Sequence, residues 1–139
     1  MNASQMDMVQ QSWEQVLPIA DTAAQLFYGR LFELEPSLEH MFAHSDMAEQ
    51  RKKLMQMITV AVRGLQHLDD LMPAIEALGR RHVGYGVTEE HYAIVGSALV
   101  WTLQKGLGDA FTVELRNAWV ETYTILSGVM MNAANQRAA

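Results

Sequence analysis

The sequence has 139 residues, of which 50% are hydrophobic and 19% are charged, a balance that supports one packed domain and excludes a disordered chain. Its 16 acidic residues outnumber the 10 basic ones, and the net charge of -6 gives no reason to expect binding to nucleic acid or to an anionic membrane surface. Cysteine is absent, which excludes disulfides, thiolate metal sites, iron–sulfur clusters and thioether links to a cofactor.

The chain carries no sign of a second domain or of a membrane segment. No apolar run is long enough to cross a bilayer, and the first residues lack the basic stretch followed by an apolar one that marks a secretory signal. No linker, low-complexity tract or internal repeat divides the sequence. We therefore expect a cytoplasmic protein with no membrane partner, in which residues 1–139 form a single domain.

Sparse Gly and Pro, and the lack of alternating apolar and polar residues, favour helices throughout. Asp21, Ser45 or Asp46, and Thr88 are suited to cap helices, and Pro73 fits the first position of one. The predicted helical segments, in chain order, cover residues 4–17, 21–35, 36–42 (a short turn), 46–66, 73–84, 88–106 and 112–134. The sequence therefore predicts an all-α protein.

A histidine lies where the helical pattern demands an apolar residue. Ile75, Leu78 and His82 are spaced by three and four residues, so they share one face of their helix. His82 thus points toward the expected core. This pattern alone favours an ordinary core histidine, although a neutral imidazole is also a good ligand for a metal ion.

Two further polar residues interrupt apolar stripes on other helices. Gln50 precedes Leu54 by one turn, on a stripe that continues through Ile58, and Tyr28 lies within the apolar face of the second helix. A buried polar group without a partner costs about 1–3 kcal/mol. The three polar groups therefore predict either mutual hydrogen bonds or a shared polar ligand, and the pattern does not decide between them.

A series of short motifs resembles one known family. The motifs, in order, are LFYGRLF at residues 26–32, Glu35-Pro36, Met41-Phe42, EQRKKL at residues 49–54, LGRRHVGYGV at residues 78–87 and EHYAIVG at residues 90–96. Over essentially the whole chain they resemble single-domain bacterial haemoglobins and the globin half of flavohaemoglobins. The resemblance implies a globin fold of about seven to eight helices enclosing a pocket for haem b, bound without covalent links and with five-coordinate iron.

The resemblance also implies roles for individual residues. His82 matches the proximal iron ligand, and Tyr28 and Gln50 match the polar pair that contacts a bound gas on the distal side. Phe42 matches the phenylalanine that packs against the porphyrin, and Leu54 the apolar residue beside the gas. A phenol and an amide placed there are able to donate hydrogen bonds to dioxygen without being ionised.

Three other positions match residues on the proximal side. Leu78 matches a haem contact one turn before His82, Tyr92 the tyrosine next to that histidine, and Arg81 a basic residue able to reach a haem propionate. Two alternatives stay open, since Arg81 also suits a solvated cation at a helix end and Tyr92 an ordinary core residue.

Two features differ from the two-domain members of the family. The 139 residues contain no glycine-rich dinucleotide motif, and Ala134 occupies the position of a glutamate that supports the proximal histidine in those enzymes. Both differences weaken the prediction of a self-sufficient nitric oxide dioxygenase. We therefore expect a protein that is not itself an enzyme.

The expected function is reversible binding of dioxygen, for storage, transport or scavenging, with nitric oxide and carbon monoxide as other diatomic ligands. The alternative is a nitric oxide dioxygenase or another haem redox protein that needs a separate reductase as its partner. A haem-free helical interaction module is the third reading, in which His82 is only a core residue. His40 and His44, four residues apart, lack a third ligand, and a metal clamp there is not predicted.

Overall fold

The protein, described here by a computed structural model for residues 1–138, is mainly helical and has no strand in the described range. Its α-helices are α1 (Ala3–Val16), α2 (Ala20–Leu34), α3 (Met47–Arg63), α4 (Leu68–Gly84), α5 (Glu89–Leu107) and α6 (Val113–Ala138). Short 3₁₀ helices cover Leu17–Ile19, Pro36–Phe42, Leu65–His67 and Gly108–Ala110. The all-α prediction is confirmed. The described residues form six α-helices instead of seven or eight, because the segment after Pro36 winds as a 3₁₀ helix.

Several predicted helix boundaries agree with the structure. Asp46 caps α3, since its carboxylate accepts hydrogen bonds from the backbone N–H groups of Ala48 and Glu49. Thr88 caps α5, where the ring of His91 accepts a hydrogen bond from the Thr88 N–H at 3.1 Å. These ends were predictable because a cap depends only on residues within one turn of the boundary.

Two predicted boundaries were wrong. Asp21 lies in the first turn of α2 instead of capping it, because the 3₁₀ turn at Leu17–Ile19 leads directly into the helix. Pro73 lies inside α4, which begins five residues earlier at Leu68 and carries Asp69 and Asp70 in its first turn. Carboxylates are favourable at the positive end of a helix, which offsets the single backbone hydrogen bond that proline gives up.

The main core joins α1, α3, α5 and α6 around two tryptophans. The rings of Trp13 and Trp119 lie 5.8 Å apart, and both are almost fully buried. Their indole N–H groups are satisfied, since Trp119 donates to the Ser12 hydroxyl and Trp13 to the Thr59 hydroxyl, each at 2.9 Å. The indole pair therefore buries a large apolar area without leaving a polar atom unpaired.

Helix α4 packs along α6, whereas its contacts with α3 are few. The closest approach is at Gly79, where an added Cβ would lie 2.6 Å from the Cα of Met130. Helix α5 approaches α6 in a similar way at Gly96, where an added Cβ would lie 2.8 Å from the Tyr123 ring. The space that separates α3 from α4 is called the crevice below, and packing on α6 holds its α4 side in place.

The Gly79 contact leads to a stability prediction. Alanine in a helix interior normally favours folding by up to about 1 kcal/mol over glycine. At Gly79 the overlap with the Met130 backbone outweighs this gain, and we expect Gly79→Ala to lower the free energy of unfolding by about 1–3 kcal/mol. Urea denaturation followed by circular dichroism measures the change.

The matched control is Gly29→Ala. Gly29 is also inside a helix, but nothing lies within 4 Å of its added Cβ, so we expect this substitution to be neutral or stabilising. Equal stability of the two variants would contradict the role given to the Gly79 contact.

Candidate functional site

The crevice is bordered on one side by a half-buried face of α3. The apolar stripe of α3 that includes Leu54 and Ile58 is partly buried, and Met55 and Val62 are the fully buried residues of this helix. The half-exposed positions are Met47, Gln50, Leu54, Ile58 and Ala61. Met47, Leu54 and Ile58 pack against buried residues of the two core clusters, so this stripe contributes to the core as predicted.

On the opposite side, α4 carries His82, and one nitrogen of its ring is hydrogen-bonded. The Nδ1 atom lies 2.8 Å from the carbonyl oxygen of Leu78, one turn earlier. A carbonyl only accepts, so Nδ1 carries the proton and Nε2 keeps its lone pair. Burial lowers the pKa of His82, and the charge on Arg81 lowers it further, while the Leu78 carbonyl raises it. The result is a neutral imidazole with a free nitrogen, the form that ligates a metal.

Tyr92 on α5 lies beside this histidine and has an unsatisfied hydroxyl. Its ring centroid is 6.4 Å from that of His82, with 29° between the ring planes. The hydroxyl is buried without a hydrogen-bond partner, and burial raises the pKa of the phenol. The backbone of Tyr92 is held independently, since the Tyr123 hydroxyl donates to its carbonyl oxygen at 2.5 Å.

Tyr28 lies in an aromatic cluster between α2 and the segment Pro36–Phe42. Its ring centroid is 5.1 Å from that of Phe27 and 5.5 Å from that of Phe42, both edge-on. Burial raises the pKa of the Tyr28 phenol, and hydrogen bonding with the Gln50 side chain opposes that rise. Tyr28 and Gln50, predicted as a pair, are therefore close enough to act on each other.

The other predicted residues divide between the two sides and the solvent. Leu54 packs on the Tyr28 cluster together with Phe42, and α5 contributes Val95 to the same cluster. Leu78 is half-buried beneath His82, whereas Arg81 is exposed at the end of α4. The structure thus brings together two sets of residues, one around Tyr28 and one around His82.

The rim of the crevice contains exposed apolar residues that sequence reasoning did not select. Tyr85 is 63% exposed, and its ring lies 5.6 Å from that of His82; Val83 is 42% exposed. Across the turn, the Cε of Met41 lies 3.9 Å from the Cβ position of Gly86. The sequence feature that could have identified Tyr85 is its position three residues after His82.

These features fit a haem. Its flat apolar ring would suit the half-buried and exposed apolar side chains, and its iron would suit the free Nε2 of His82. Among residues 1–138, no group of three or more His, Cys, Asp or Glu side chains is arranged to hold a metal ion. None of the described helices is both long and apolar enough to cross a bilayer.

Comparisons with known proteins support the same conclusion. The sequence model of the Globin family matches residues 25–130. Neuroglobin of Danio rerio is 32% identical over 136 residues, which cover 88% of this chain and 86% of that protein. A flavohemoprotein of Rhodopirellula baltica is 35% identical over 114 residues, covering 81% of this chain but 28% of that longer protein.

Solved structures with low sequence identity to this chain share its fold. A bacterial globin from Campylobacter jejuni has a TM-score of 0.85 at 22% identity, covering 99% of both chains. An engineered carbene transferase, derived from a putative nitric oxide dioxygenase of Rhodothermus marinus, has a TM-score of 0.88 at 22% identity, covering 99% of this chain and 96% of that one. The resemblance to bacterial globins and flavohaemoglobin globin domains is confirmed, and the chain belongs to the globin family of haem proteins.

Proposed function

We propose that this globin reversibly binds dioxygen at a non-covalently held haem b, with His82 as the iron ligand. The observation that carries the proposal is the orientation of His82, whose Nδ1 is fixed by the Leu78 carbonyl at 2.8 Å so that Nε2 is free. Haem, when bound, supplies an iron atom with an open position for a diatomic gas. The remaining steps depend on the side chains of this chain.

On the proximal side, two residues fix the imidazole. The Leu78 carbonyl sets the tautomer of His82 and limits rotation of its ring. The nearly parallel ring of Tyr92 restricts the imidazole on one face, at 6.4 Å between centroids. A ligand held in this way keeps the same nitrogen directed into the crevice. Arg81, exposed at the same helix end, is proposed to pair with a haem propionate.

On the distal side, Tyr28 and Gln50 provide hydrogen bonds to a polar diatomic gas. Both are neutral, and the raised pKa of Tyr28 keeps its phenol protonated and able to donate. One hydrogen bond contributes about 1–3 kcal/mol, which slows gas release by roughly 5- to 150-fold. Phe42 and Leu54 surround these donors with apolar surface and exclude water.

Conversion of nitric oxide to nitrate with bound dioxygen and a separate reductase is a second candidate. It is favoured by the 35% identity to the flavohemoprotein of Rhodopirellula baltica. Nitric oxide consumption that requires an added cellular reductase supports this candidate. Consumption that is unchanged by any reductase leaves reversible gas binding as the function.

The assignment of His82 is tested by substitution. We expect His82→Ala, reconstituted with haemin, to lose the absorption spectrum of a histidine-ligated haem because the proposed iron ligand is removed. Millimolar imidazole is expected to restore part of that spectrum by replacing the missing ring. His67→Ala, at an exposed histidine outside the crevice, is the control and retains the wild-type spectrum. An unaltered spectrum in His82→Ala would refute the assignment.

The role of Tyr28 is tested by the rate of gas release. We expect Tyr28→Phe to release dioxygen about tenfold faster or more, because one hydrogen bond to the gas is lost while the ring and its packing stay. Stopped-flow displacement of dioxygen by carbon monoxide measures this rate. Release of carbon monoxide, a poorer acceptor, serves as the internal control and changes less. Equal acceleration of both gases would mean that Tyr28 acts only through packing.

Removal of the unpaired Tyr92 hydroxyl is expected to have opposite effects on the haem-free and the haem-loaded protein. Tyr92→Phe removes a buried unpaired polar group, so we expect the haem-free protein to gain about 1 kcal/mol in the free energy of unfolding. The haem-loaded variant is expected to lose haem faster if the hydroxyl gains a hydrogen-bond acceptor when haem binds. Transfer of haem to an excess of apomyoglobin measures that loss. An unchanged transfer rate would assign Tyr92 to the core alone.

A further inference from the structure

The side chain of Met41 reaches from one side of the crevice to the other. Met41 lies in the 3₁₀ helix Pro36–Phe42, and its Cε atom is 3.9 Å from the Cβ position of Gly86, in the turn that follows α4. Apart from the adjoining residues of the turn, no other atom of residues 1–138 lies within 4 Å of that position. Because contacts between α3 and α4 are few, this thioether is a link between two parts of the site that otherwise stand apart.

Each end of the link is attached to one of the two sets of site residues. Phe42, the next residue along the chain, packs on Tyr28 with 5.5 Å between the ring centroids. In the turn, the N–H of Val87 donates to the carbonyl oxygen of His82 at 3.1 Å. The Met41 link therefore connects the cluster around Tyr28 to the backbone of the candidate iron ligand.

The turn itself has no side chain with which to replace this contact. Gly86 has a φ of +85°, a left-handed conformation that residues with a Cβ rarely adopt. A glycine at this position contributes only backbone atoms toward the opposite side of the crevice. The contact between the two sides at this point therefore depends on the thioether of Met41.

The same thioether is open to oxidants. Met41 is 37% exposed, whereas Met55 is only 8% exposed. The 139 residues contain no cysteine, so the methionine thioethers are their only sulfur groups. Hydrogen peroxide converts a thioether to a sulfoxide. In that step an S–O bond forms as the O–O bond breaks, sulfur loses two electrons, and the second peroxide oxygen leaves as water.

Oxidation would replace an apolar contact by a polar group that the turn does not satisfy. The sulfoxide oxygen is a hydrogen-bond acceptor, and burying it without a donor is costly. The N–H groups of Gly86 and Val87 are already used, since they donate to the carbonyl oxygens of Val83 and His82. The oxidised side chain is therefore better satisfied in water than against the turn.

We propose that Met41 is a modification site for peroxides, at which oxidation to the sulfoxide releases the link between Met41 and the turn and loosens the crevice. A methionine sulfoxide reductase reverses the change, because two thiols of its reductant form a disulfide and the sulfoxide oxygen leaves as water. The link is a property of the haem-free chain. The inference rests on the proposed function only for its effect on bound haem.

The first experiment measures oxidation in the haem-free protein. The wild type is treated with hydrogen peroxide, the excess is removed with catalase, and the peptides are weighed by mass spectrometry. We expect Met41 and Met57, which is 41% exposed, to gain one oxygen before Met55 does. Oxidation of Met41 that is no faster than that of Met55 overturns the modification site.

The second measurement follows the turn in the same samples by hydrogen–deuterium exchange. Loss of a contact of about one methyl group corresponds to a change of about threefold or more, and we expect the N–H groups of Gly86 and Val87 to exchange faster by that factor after oxidation. Met41→Leu keeps an apolar side chain that peroxide does not alter, so its exchange is expected to be insensitive to the treatment. Met57→Leu is the matched control and responds as the wild type does. A response that persists in Met41→Leu overturns the link.

The third measurement concerns haem. Each haem-free protein is oxidised, freed of peroxide and loaded with haemin, and the transfer of haem to an excess of apomyoglobin is timed. We expect oxidised wild type and oxidised Met57→Leu to lose haem about threefold faster or more, and Met41→Leu to be unaffected. Treatment with methionine sulfoxide reductase before haemin is added is expected to restore the slower rate. Equal rates for oxidised and untreated wild type overturn the effect on haem.

The outcomes separate this inference from the proposed function. Failure of the untreated wild type to bind haem refutes the proposed function. In that case, a peroxide-dependent rise in exchange that requires Met41 still supports the link. Normal haem binding, with exchange and haem loss both unaltered by peroxide, leaves the proposed function intact and refutes the inference.

Discussion

The approach of α4 to α6 at Gly79 is the contact on which the site depends. Because a side chain there would overlap the backbone of Met130, only glycine lets the two helices come this close. Tyr123, which packs on Gly96 and bonds to the Tyr92 carbonyl, lies seven residues before Met130 and so on the same face of α6. One face of α6 therefore positions both α4 and α5. It fixes His82 and Tyr92 relative to each other, while α3 stays apart from α4.

The polar side chains of the site are uncharged. Burial raises the pKa of the Tyr28 and Tyr92 phenols and lowers the pKa of the His82 imidazole, so all three are held in their neutral forms. A buried charge without a partner is costly, whereas a neutral donor or lone pair is retained at much lower cost. The crevice thus offers hydrogen bonds and a free ring nitrogen within an apolar surround. This arrangement suits an uncharged gas better than an ionic substrate.

Local features were predictable from sequence, and features that depend on several helices were not. The caps at Asp46 and Thr88 follow from residues within one turn. The beginning of α4 did not follow, because Asp69 and Asp70 extend the helix ahead of Pro73. Periodicity found the Gln50–Leu54 stripe on α3, where Leu54 packs on the Tyr28 cluster, but no local pattern shows that α4 packs on α6.

The site residues show the same limit. Spacing placed His82 on an apolar face, yet the choice between a core histidine and a ligand needed the motif order of the family. The free Nε2 and the orphaned hydroxyl of Tyr92 depend on atoms that the sequence does not position. The exposed Tyr85 and Met41 were not selected, because exposed apolar residues at a rim become recognisable only when the crevice between α3 and α4 is known.

The contact between Trp13 and Trp119 gives the protein an internal optical reporter. Two of the three tryptophans lie 5.8 Å apart in the core that joins α1 to α6, and the third, Trp101, is half-exposed on α5 beside the guanidinium of Arg30. The fluorescence of the buried pair therefore reports on the main core, whereas visible absorption of the proposed haem would report on the crevice. Loosening of the crevice and collapse of the core are two events that can be followed separately in one sample.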